Sequence, residues 1–478
     1  MKTDAILQLK NESILRAIFD GVNAVKAEAY LVGGVLRNLA LSRPLGFDYD
    51  IVLDGKVKET ANLIAGRLKG SPFLLDKKLE SYRVNVKHRD GMFNIDISQR
   101  KGKDIWEDLS RRDFTINALS VDMNALFKKK DAAIIDIFKG INDAENKIIR
   151  MLKPEIFDED PLRLLRAVRL SAQYNLKIDK ETEKYIQAKA NLLPKSSWER
   201  IRDEFFLILY CSEAAYYVKK LHELSLLREI IPEIRNWESL KDYNLLSHSL
   251  KTLEQGENLY NNLNAFAPEF ADNLYAYFEI TFGNIAKRGL FKIALFLHDV
   301  GKAVTMKREE DRIRFIGHEG EGEIISKRIG KRLKLSRAAI GLIARLGRNH
   351  HRVFNLASFD KPTNRSKAHL FRVMGGGDGL LLLLLAFADA RATRDGDDPE
   401  LASLVRDLIG FYYKVYSVKK PKPILNGEEV MDIFNIPEGV IVGRILNKLA
   451  EVEGEGIVKS KRDAVKFINN WLEESEGE

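Results

Sequence analysis

Apolar and polar positions along this chain follow two periods, and the change between them falls near residue 150. Over residues 1 to about 30 the apolar positions Ile6, Leu9, Ile14, Ala17 and Ile18 recur at helical spacing among charged ones, which predicts helix. Tyr30-Leu31-Val32 then reads as a short strand running into Gly33-Gly34, and Val35 to Leu41 as a short helix. Asp48 to Leu53 alternates as a strand does. Two more strands are expected at Tyr82 to Lys87 and Phe93 to Ser98, around the turn Arg89-Asp90-Gly91. From about 151 onward strand signals nearly vanish and helical patterns follow one another, broken at Pro154, Pro194, Pro232 and Pro362. The expected class is α+β: a small mixed α/β head over 1–150, an all-helical neck over 151–235, a helical domain over 236–400 and a helical tail over 401–478.

The stretch Glu159 to Leu170 concentrates charge on such a helix. Read as one helix, it carries Asp160, Arg163, Arg166 and Arg169 at three-residue steps along one side, while Leu162, Leu164, Leu165 and Val168 pack inward. A carboxylate beside a guanidinium can hydrogen-bond the edge of a base, and the two further arginines can hold phosphate. In isolation such a face is most often solvated charge, so its meaning depends on the rest of the chain.

Composition narrows the classes. A chain of 478 residues, 45% hydrophobic and 31% charged, is folded and long enough for several cores. The excess of 77 Lys+Arg over 69 Asp+Glu, a net +8, suits a phosphate-rich partner. The single cysteine, Cys211, follows the apolar run Phe205 to Tyr210 and is expected to be a buried core residue, with no disulfide and a reducing, cytoplasmic compartment. The leucine run Leu380 to Leu385 is too short for a membrane span, so no membrane is expected.

Candidate chemistry gathers first in the head. Gly33-Gly34, between a strand and a helix, lets backbone approach an anion, and Arg37 sits one turn into that helix. Asp48 and Asp50, two apart on a strand, place both carboxylates on one face, a repulsion that a bridging divalent cation relieves. A neighbouring strand carries Asp96 as a third acid. Three such oxygens around two Mg²⁺ ions would activate a hydroxyl nucleophile and stabilise leaving pyrophosphate.

With these motifs in hand, the chain resembles the class II tRNA nucleotidyltransferases, the superfamily of CCA-adding enzymes and bacterial poly(A) polymerases. The resemblance rests on Leu31 to Arg37, Asp48-Tyr49-Asp50, Arg111 to Ala118, Ile135 to Gly140 and the Glu159 stretch, in the family's order over roughly the first 235 residues. It implies a polymerase-β-like head in which Gly33, Gly34 and Arg37 hold the triphosphate and Asp48 and Asp50 carry Mg²⁺. Arg111, Asp113 and Asn117 would line sugar and phosphates, and Asp160 and Arg163 would read the incoming base. The tRNA 3′ end and ATP, with CTP as the second candidate, are the implied partners. Lys177, Lys180, Lys184, Lys189 and Lys195, ahead of Trp198 to Ile201, fall where the family binds RNA. Two departures matter. Asn38 stands where the family usually has Asp, and the connection from Arg100 to Arg111 is far shorter than in CCA-adding relatives. The shortened form resembles enzymes that add only the terminal A.

A second set of ligand-type residues follows. His248, His298-Asp299, His318, His350-His351 and Asp389 lie on successive expected helices, an N/O donor set suited to a divalent transition metal or Mg²⁺. Their order resembles the HD-domain phosphohydrolases. His248, His298, Asp299 and Asp389 match the single-metal quartet, His318 and His350 the added ligands of binuclear members, and Lys302 a phosphate contact. His222, His351 and His369 are expected to be ordinary core histidines. The implied body chemistry is metal-assisted hydrolysis of a phosphomonoester or 2′,3′-cyclic phosphate. Full CCA synthesis, a poly(A) polymerase, and a metal-dependent RNA phosphodiesterase with an RNA-gripping head are the competing readings. The oligomeric state is not legible.

Overall fold

The computed structural model describes residues 2–77, 80–88, 91–129, 132–238, 240, 243–309, 312–359, 361–394, 398–418, 424–454, 458 and 460–475. Arg89 and Asp90 of the expected turn lie outside the described residues. The chain divides into two compact units, Met1–Cys211 with Lys219–Pro232, and Ser212–Val218 with Glu233–Glu478.

In the first unit, α1 (Lys2–Asn11) and α2 (Ser13–Ala24) supply the expected N-terminal helical pattern. They lead into β1 (Ala29–Val32), α3 (Gly34–Ala40) and β2 (Asp48–Leu53), followed by α4 (Val57–Leu68), β3 (Ser71–Asp76), β4 (Ser81–His88), β5 (Gly91–Gln99), α5 (Ile105–Ser110) and β6 (Ser120–Asp122). The strands form one sheet in the order β3-β4-β5-β2-β1-β6. Only β2 and β5 run parallel, in a register that sets Asp48 beside Asn94 and Asp50 beside Asp96. All four residues of β1 are buried, as a central strand covered on both faces requires. β3 and β6 were not anticipated. β3 is an exposed edge strand without alternation, and β6 is three residues long, so neither leaves a periodic signature.

The expected single helix over 159–170 is broken. A short helix, Ile156–Glu159, ends at Asp160, whose backbone is extended (φ −144°, ψ 97°), and α6 (Leu162–Tyr174) starts only after Pro161. Proline disfavours helical backbone at the residue before it, so Asp160 precedes the helix that carries the three arginines. Leu164, Leu165 and Val168 are wholly buried, as their spacing predicts. Cys211 is a second correction: it sits half-buried beyond the end of α7 (Trp198–Leu209), because the apolar face that fills the core stops with that helix.

The second unit is helical except for two short ribbons, Thr281–Phe282 with Ile285–Ala286 and Lys307–Glu309 with Arg312–Arg314. Its frame is α8 (Leu245–Asn261), α9 (Lys287–Leu297), α10 (His318–Arg332), α11 (Arg337–Asn349), α12 (His351–Ala357), α13 (Asn364–Val373) and α14 (Asp378–Arg394). Leu380 through Leu385 are each at most 1% exposed, so α14 is a core helix apolar on every side that delivers Asp389 into the interior. Beside it, Glu257 of α8 accepts hydrogen bonds from the backbone N–H groups of Ala214 and Ala215 (2.7 and 2.8 Å) and from Lys292 Nζ (2.7 Å), a buried charge pair with its lone pairs satisfied. Three helices, Gly427–Phe434, Val440–Gly454 and Lys461–Ser475, close the chain around their own apolar cluster. No single helix among the described residues is long and apolar enough to cross a membrane.

Candidate functional site

A cleft of about 270 Å³ opens in the head at the C-terminal end of β1. Gly33, Gly34, Arg37, Asp50, Arg111, Asp113, Asn117, Asp160, Arg163 and Arg166 all line it, so most of the sequence-derived head set converges there. Gly33 takes φ +77°, and a Cβ at that position would stand 2.4 Å from Asp50 Oδ2, so the turn must be glycine for the carboxylate to fit against it. Burial pushes the Asp50 carboxyl up from its ordinary value, with Arg112 opposing and Asp96 adding to the rise. Asp48 is exposed at the start of β2 and accepts from the Asn94 side-chain amide (2.8 Å). The Asp48 and Asp50 oxygens, two apart on one strand face, are hard donors that fit a divalent cation.

Asp96 adjoins Asp50 in register, but both its oxygens are taken by Arg83, at 2.6 and 2.7 Å. Arg37 is also engaged: it donates to Asn117 Oδ1 (3.0 Å) and to the Tyr174 hydroxyl (2.5 Å) and stacks on that ring. Asn117 in turn donates to Asp113 Oδ1 (2.8 Å), and Arg166 pairs with Asp113 Oδ2 (2.8 Å). Burial opposes ionisation of Asp113, yet Arg166 and these hydrogen bonds hold its carboxyl below the ordinary value. Asp160 and Arg163, the pair expected to read the base, meet through the backbone, the Arg163 N–H donating to the Asp160 carbonyl (3.0 Å), but their side chains hold other partners. Asp160 is gripped by Arg200 of α7, while Arg163 donates to the Arg111 and Ile156 carbonyls (2.9 and 3.3 Å). Arg169 turns away to Glu204 (2.9 Å) and is not among the cleft residues. Asn38, in place of the usual Asp, donates to the Leu45 carbonyl (3.1 Å) and accepts from Arg37 (3.3 Å).

The short connection after β5 is pinned at several points. Arg100 is buried and bonds Glu28 (2.8 Å), Asp54 (3.2 Å) and the Lys103 carbonyl (3.0 Å). The Lys101 and Lys103 amides donate to Asp108 and Glu107 (2.9 and 3.0 Å). Of the neck lysines, Lys177, Lys180, Lys184 and Lys195 are exposed, whereas Lys189 is tied to Asp158 and the Pro154 carbonyl.

The second centre lies inside the helical unit. The Nδ1 atoms of His298, His318 and His350 face the carbonyls of Leu295, Phe315 and Gly347 at 2.9, 2.8 and 2.7 Å, each three residues back. That contact fixes Nδ1 as the protonated nitrogen of the neutral ring and leaves the lone pair on Nε2, as in a metal-binding histidine whose other nitrogen is held by a carbonyl. Asp299 Oδ2 lies 3.3 Å from both His248 and His298 Nε2, and His248 Nε2 lies 3.1 Å from Asp389. The other oxygen, Asp299 Oδ1, lies 3.4 Å from His318 and 3.6 Å from His350, and it is buried without a hydrogen-bond partner among the described residues. An orphaned carboxylate oxygen among convergent imidazoles fits a divalent ion on each side of Asp299, with His248, His298 and Asp389 on one and His318 and His350 on the other. Although burial disfavours its cation, Asp299 and Asp389 push His298 up to about 10, while burial drives His350 down to about 4. Lys302 donates to Asp299 (2.5 Å) and to the Tyr243 hydroxyl (3.2 Å).

Comparison with known proteins gives this geometry its context. The chain matches the model of the Poly A polymerase head domain over residues 29–150, the probable RNA- and SrmB-binding site of polymerase A over 175–238, and the HD domain over 245–393. It is 30% identical to a CC-adding tRNA nucleotidyltransferase of Thermus thermophilus over 458 residues, 93% of this chain and 94% of that protein. The chain belongs to the tRNA nucleotidyltransferase family. An A-adding member from Deinococcus radiodurans is 28% identical, over 94% of this chain and 96% of its own. The fold is that of the Thermotoga maritima CCA-adding enzyme solved with tRNA, at TM-score 0.60, 21% identity and 99% coverage of both chains.

In this tRNA nucleotidyltransferase, several residues at the two centres escaped sequence reasoning. His351, expected to be a core histidine, brings Nε2 to 3.4 Å from His318 Nε2 and joins the cluster with His350. Its adjacency to His350 was the available signal. Arg200 lies in the segment Trp198 to Ile201, where the family binds RNA, and nothing in its spacing points to Asp160. Arg83 and Tyr174, which hold Asp96 and Arg37, had no motif at all. His369, expected in the core, is exposed.

Proposed function

We propose that the head transfers one kind of nucleotide from an NTP to the 3′-hydroxyl of tRNA, releasing pyrophosphate, and that AMP added to an end in CC is the first reading. The observation that carries it is the pinned connection after β5, because choosing between two nucleotides in succession requires an element that moves, and this one is tied at both ends. Asp48 and Asp50 would hold Mg²⁺, which when bound supplies charge for the triphosphate and acidifies the attacking hydroxyl. Gly33 and Gly34 give the phosphates a close backbone wall, Asp113 and Asn117 fix the sugar's surroundings, and Asp160 and Arg163 present an acceptor and donors to the base edge. Asp96, occupied by Arg83, serves this site by positioning.

CMP transfer is the second reading, favoured by the likeness to the Thermus enzyme named as CC-adding. The helical unit would hold a transition metal pair or Mg²⁺ at Asp299 and hydrolyse a phosphomonoester or 2′,3′-cyclic phosphate at an RNA end. Purified protein with tRNA ending in C, CC or CCA and each labelled NTP, sized on a gel, decides the matter. One A on the CC form supports AMP transfer, and C added to shorter ends supports CMP transfer. All three nucleotides from one enzyme would refute single specificity.

A further inference from the structure

One row of residues crosses the sheet of the head from its edge to the paired aspartates. The register sets Phe73 of β3 opposite Arg83 of β4, Arg83 opposite Asp96 of β5, and Asp96 beside Asp50 of β2. A second row, one pleat over, runs through Asn85 and Asn94 to Asp48. Residues paired in this way share a face, and the hydrogen bonds from Arg83 to Asp96 and from Asn94 to Asp48 join neighbours within the rows. The opposite face is core: Ile51, Val84, Ile95 and Ile97 are wholly buried, and α4 packs against β4 and β5. The face with the two rows is open. Phe73 is 43% exposed at the sheet edge, Asp48 is exposed, and Arg83, Asn85 and Asn94 are half-buried. At about 4.8 Å per strand, Phe73 stands roughly 14 Å from Asp50.

We propose that this open face carries the unpaired nucleotides at the 3′ end of the RNA acceptor, with one of their bases stacked on Phe73. This rests on the transfer proposed for the head and places its second substrate. In-line displacement sets the attacking hydroxyl across the reacting phosphorus from the leaving pyrophosphate. The glycine turn proposed to hold the triphosphate ends β1, on one flank of β2. The hydroxyl therefore arrives from the other flank, where β5, β4 and β3 follow in that order. A strand whose last hydroxyl meets Asp48 and Asp50 then trails across both rows toward the edge. Asn85 and Asn94 present side-chain amides to its sugars, and Phe73 gives it an aromatic ring on which any unpaired base can stack.

The test is equilibrium binding of the full-length protein to two 5′-labelled RNA hairpins with the same acceptor stem, one ending in unpaired ACC and one blunt, read by fluorescence anisotropy. Phe73→Ala should bind the ACC form about tenfold more weakly and the blunt form as wild type does, while Phe73→Tyr, which keeps the ring, should match wild type on both. In transfer assays Phe73→Ala should raise the KM for RNA about tenfold and leave the KM for NTP unchanged. Matching melting curves verify that the variants fold. No change on the ACC form, or equal weakening on both hairpins, overturns the proposal. A wild-type dimer that Phe73→Ala dissociates, read by sedimentation, would assign the sheet edge to a second copy of the chain and overturn it as well. A wild-type protein that transfers no nucleotide, with the effect of Phe73→Ala on ACC binding intact, would remove the transfer reading and leave the RNA face standing.

Discussion

Arg200 grips Asp160 with both terminal nitrogens, at 2.8 and 3.3 Å, across forty residues of sequence. Asp160 lies in extended backbone before Pro161, and the Leu162 amide is the other donor to its carboxylate among the described residues (3.2 Å). The guanidinium fork therefore sets which way the proposed base reader faces. Arg200→Ala should reduce discrimination among NTPs by about tenfold, and Lys should not restore it, because one ammonium cannot make the bidentate contact. Competition between labelled ATP, CTP, UTP and GTP measures this. An equal loss for all four would point to a structural role, and an unselective enzyme is expected from Asp160→Ala in the same assay.

Gly33→Ala should reduce transfer by at least about 100-fold, since the new methyl must displace Asp50 Oδ2 from a 2.4 Å approach and misplacement of about 1 Å costs that much. Single-turnover kinetics on a tRNA substrate check it. Phosphohydrolase activity of the helical unit should be unchanged.

The two chemistries should separate by mutation. Asp50→Ala is expected to abolish transfer and leave metal-dependent hydrolysis, and His298→Ala the reverse. His351→Ala should lower bound metal from about two ions to about one in the helical unit, read by elemental analysis after dialysis.

Asp50→Asn should raise the melting temperature of the metal-free protein at pH 7 by roughly 2–5 °C while removing transfer. Burial holds the folded Asp50 carboxyl above its unfolded value. Below the unfolded value both states carry it protonated and the variant gains nothing. The gain grows as pH rises from the unfolded value to the raised folded value and levels off above it, where the wild-type carboxylate is ionised in place. Melting curves from pH 4 to 8 in EDTA test this; a constant difference would show that Asp50's titration is not the cause.

Much of this molecule was legible in its residues. Asp48 to Ile51 alternates where the strand meets the cleft, Val52 and Leu53 are buried as well, and the Gly-Gly turn, the paired aspartates and the histidine series each leave a local mark. What stayed hidden acts between distant positions. Arg83 on Asp96, Tyr174 under Arg37 and Arg200 on Asp160 join segments 13, 137 and 40 residues apart, and no periodicity encodes such a meeting. The helix that the arginine spacing predicts over 159–170 is cut for a local reason, since Pro161 excludes helical backbone at Asp160.

Asp299 gives one oxygen to each side of the histidine cluster. A shared carboxylate makes the two sides a single thermodynamic object. Were ions held on both sides, each one's affinity would depend on the occupancy of the other by the same factor in both directions. Metal titration of the metal-free protein would then depart from two independent sites, and the direction of the departure would report whether ordering of Asp299 or repulsion between the ions prevails.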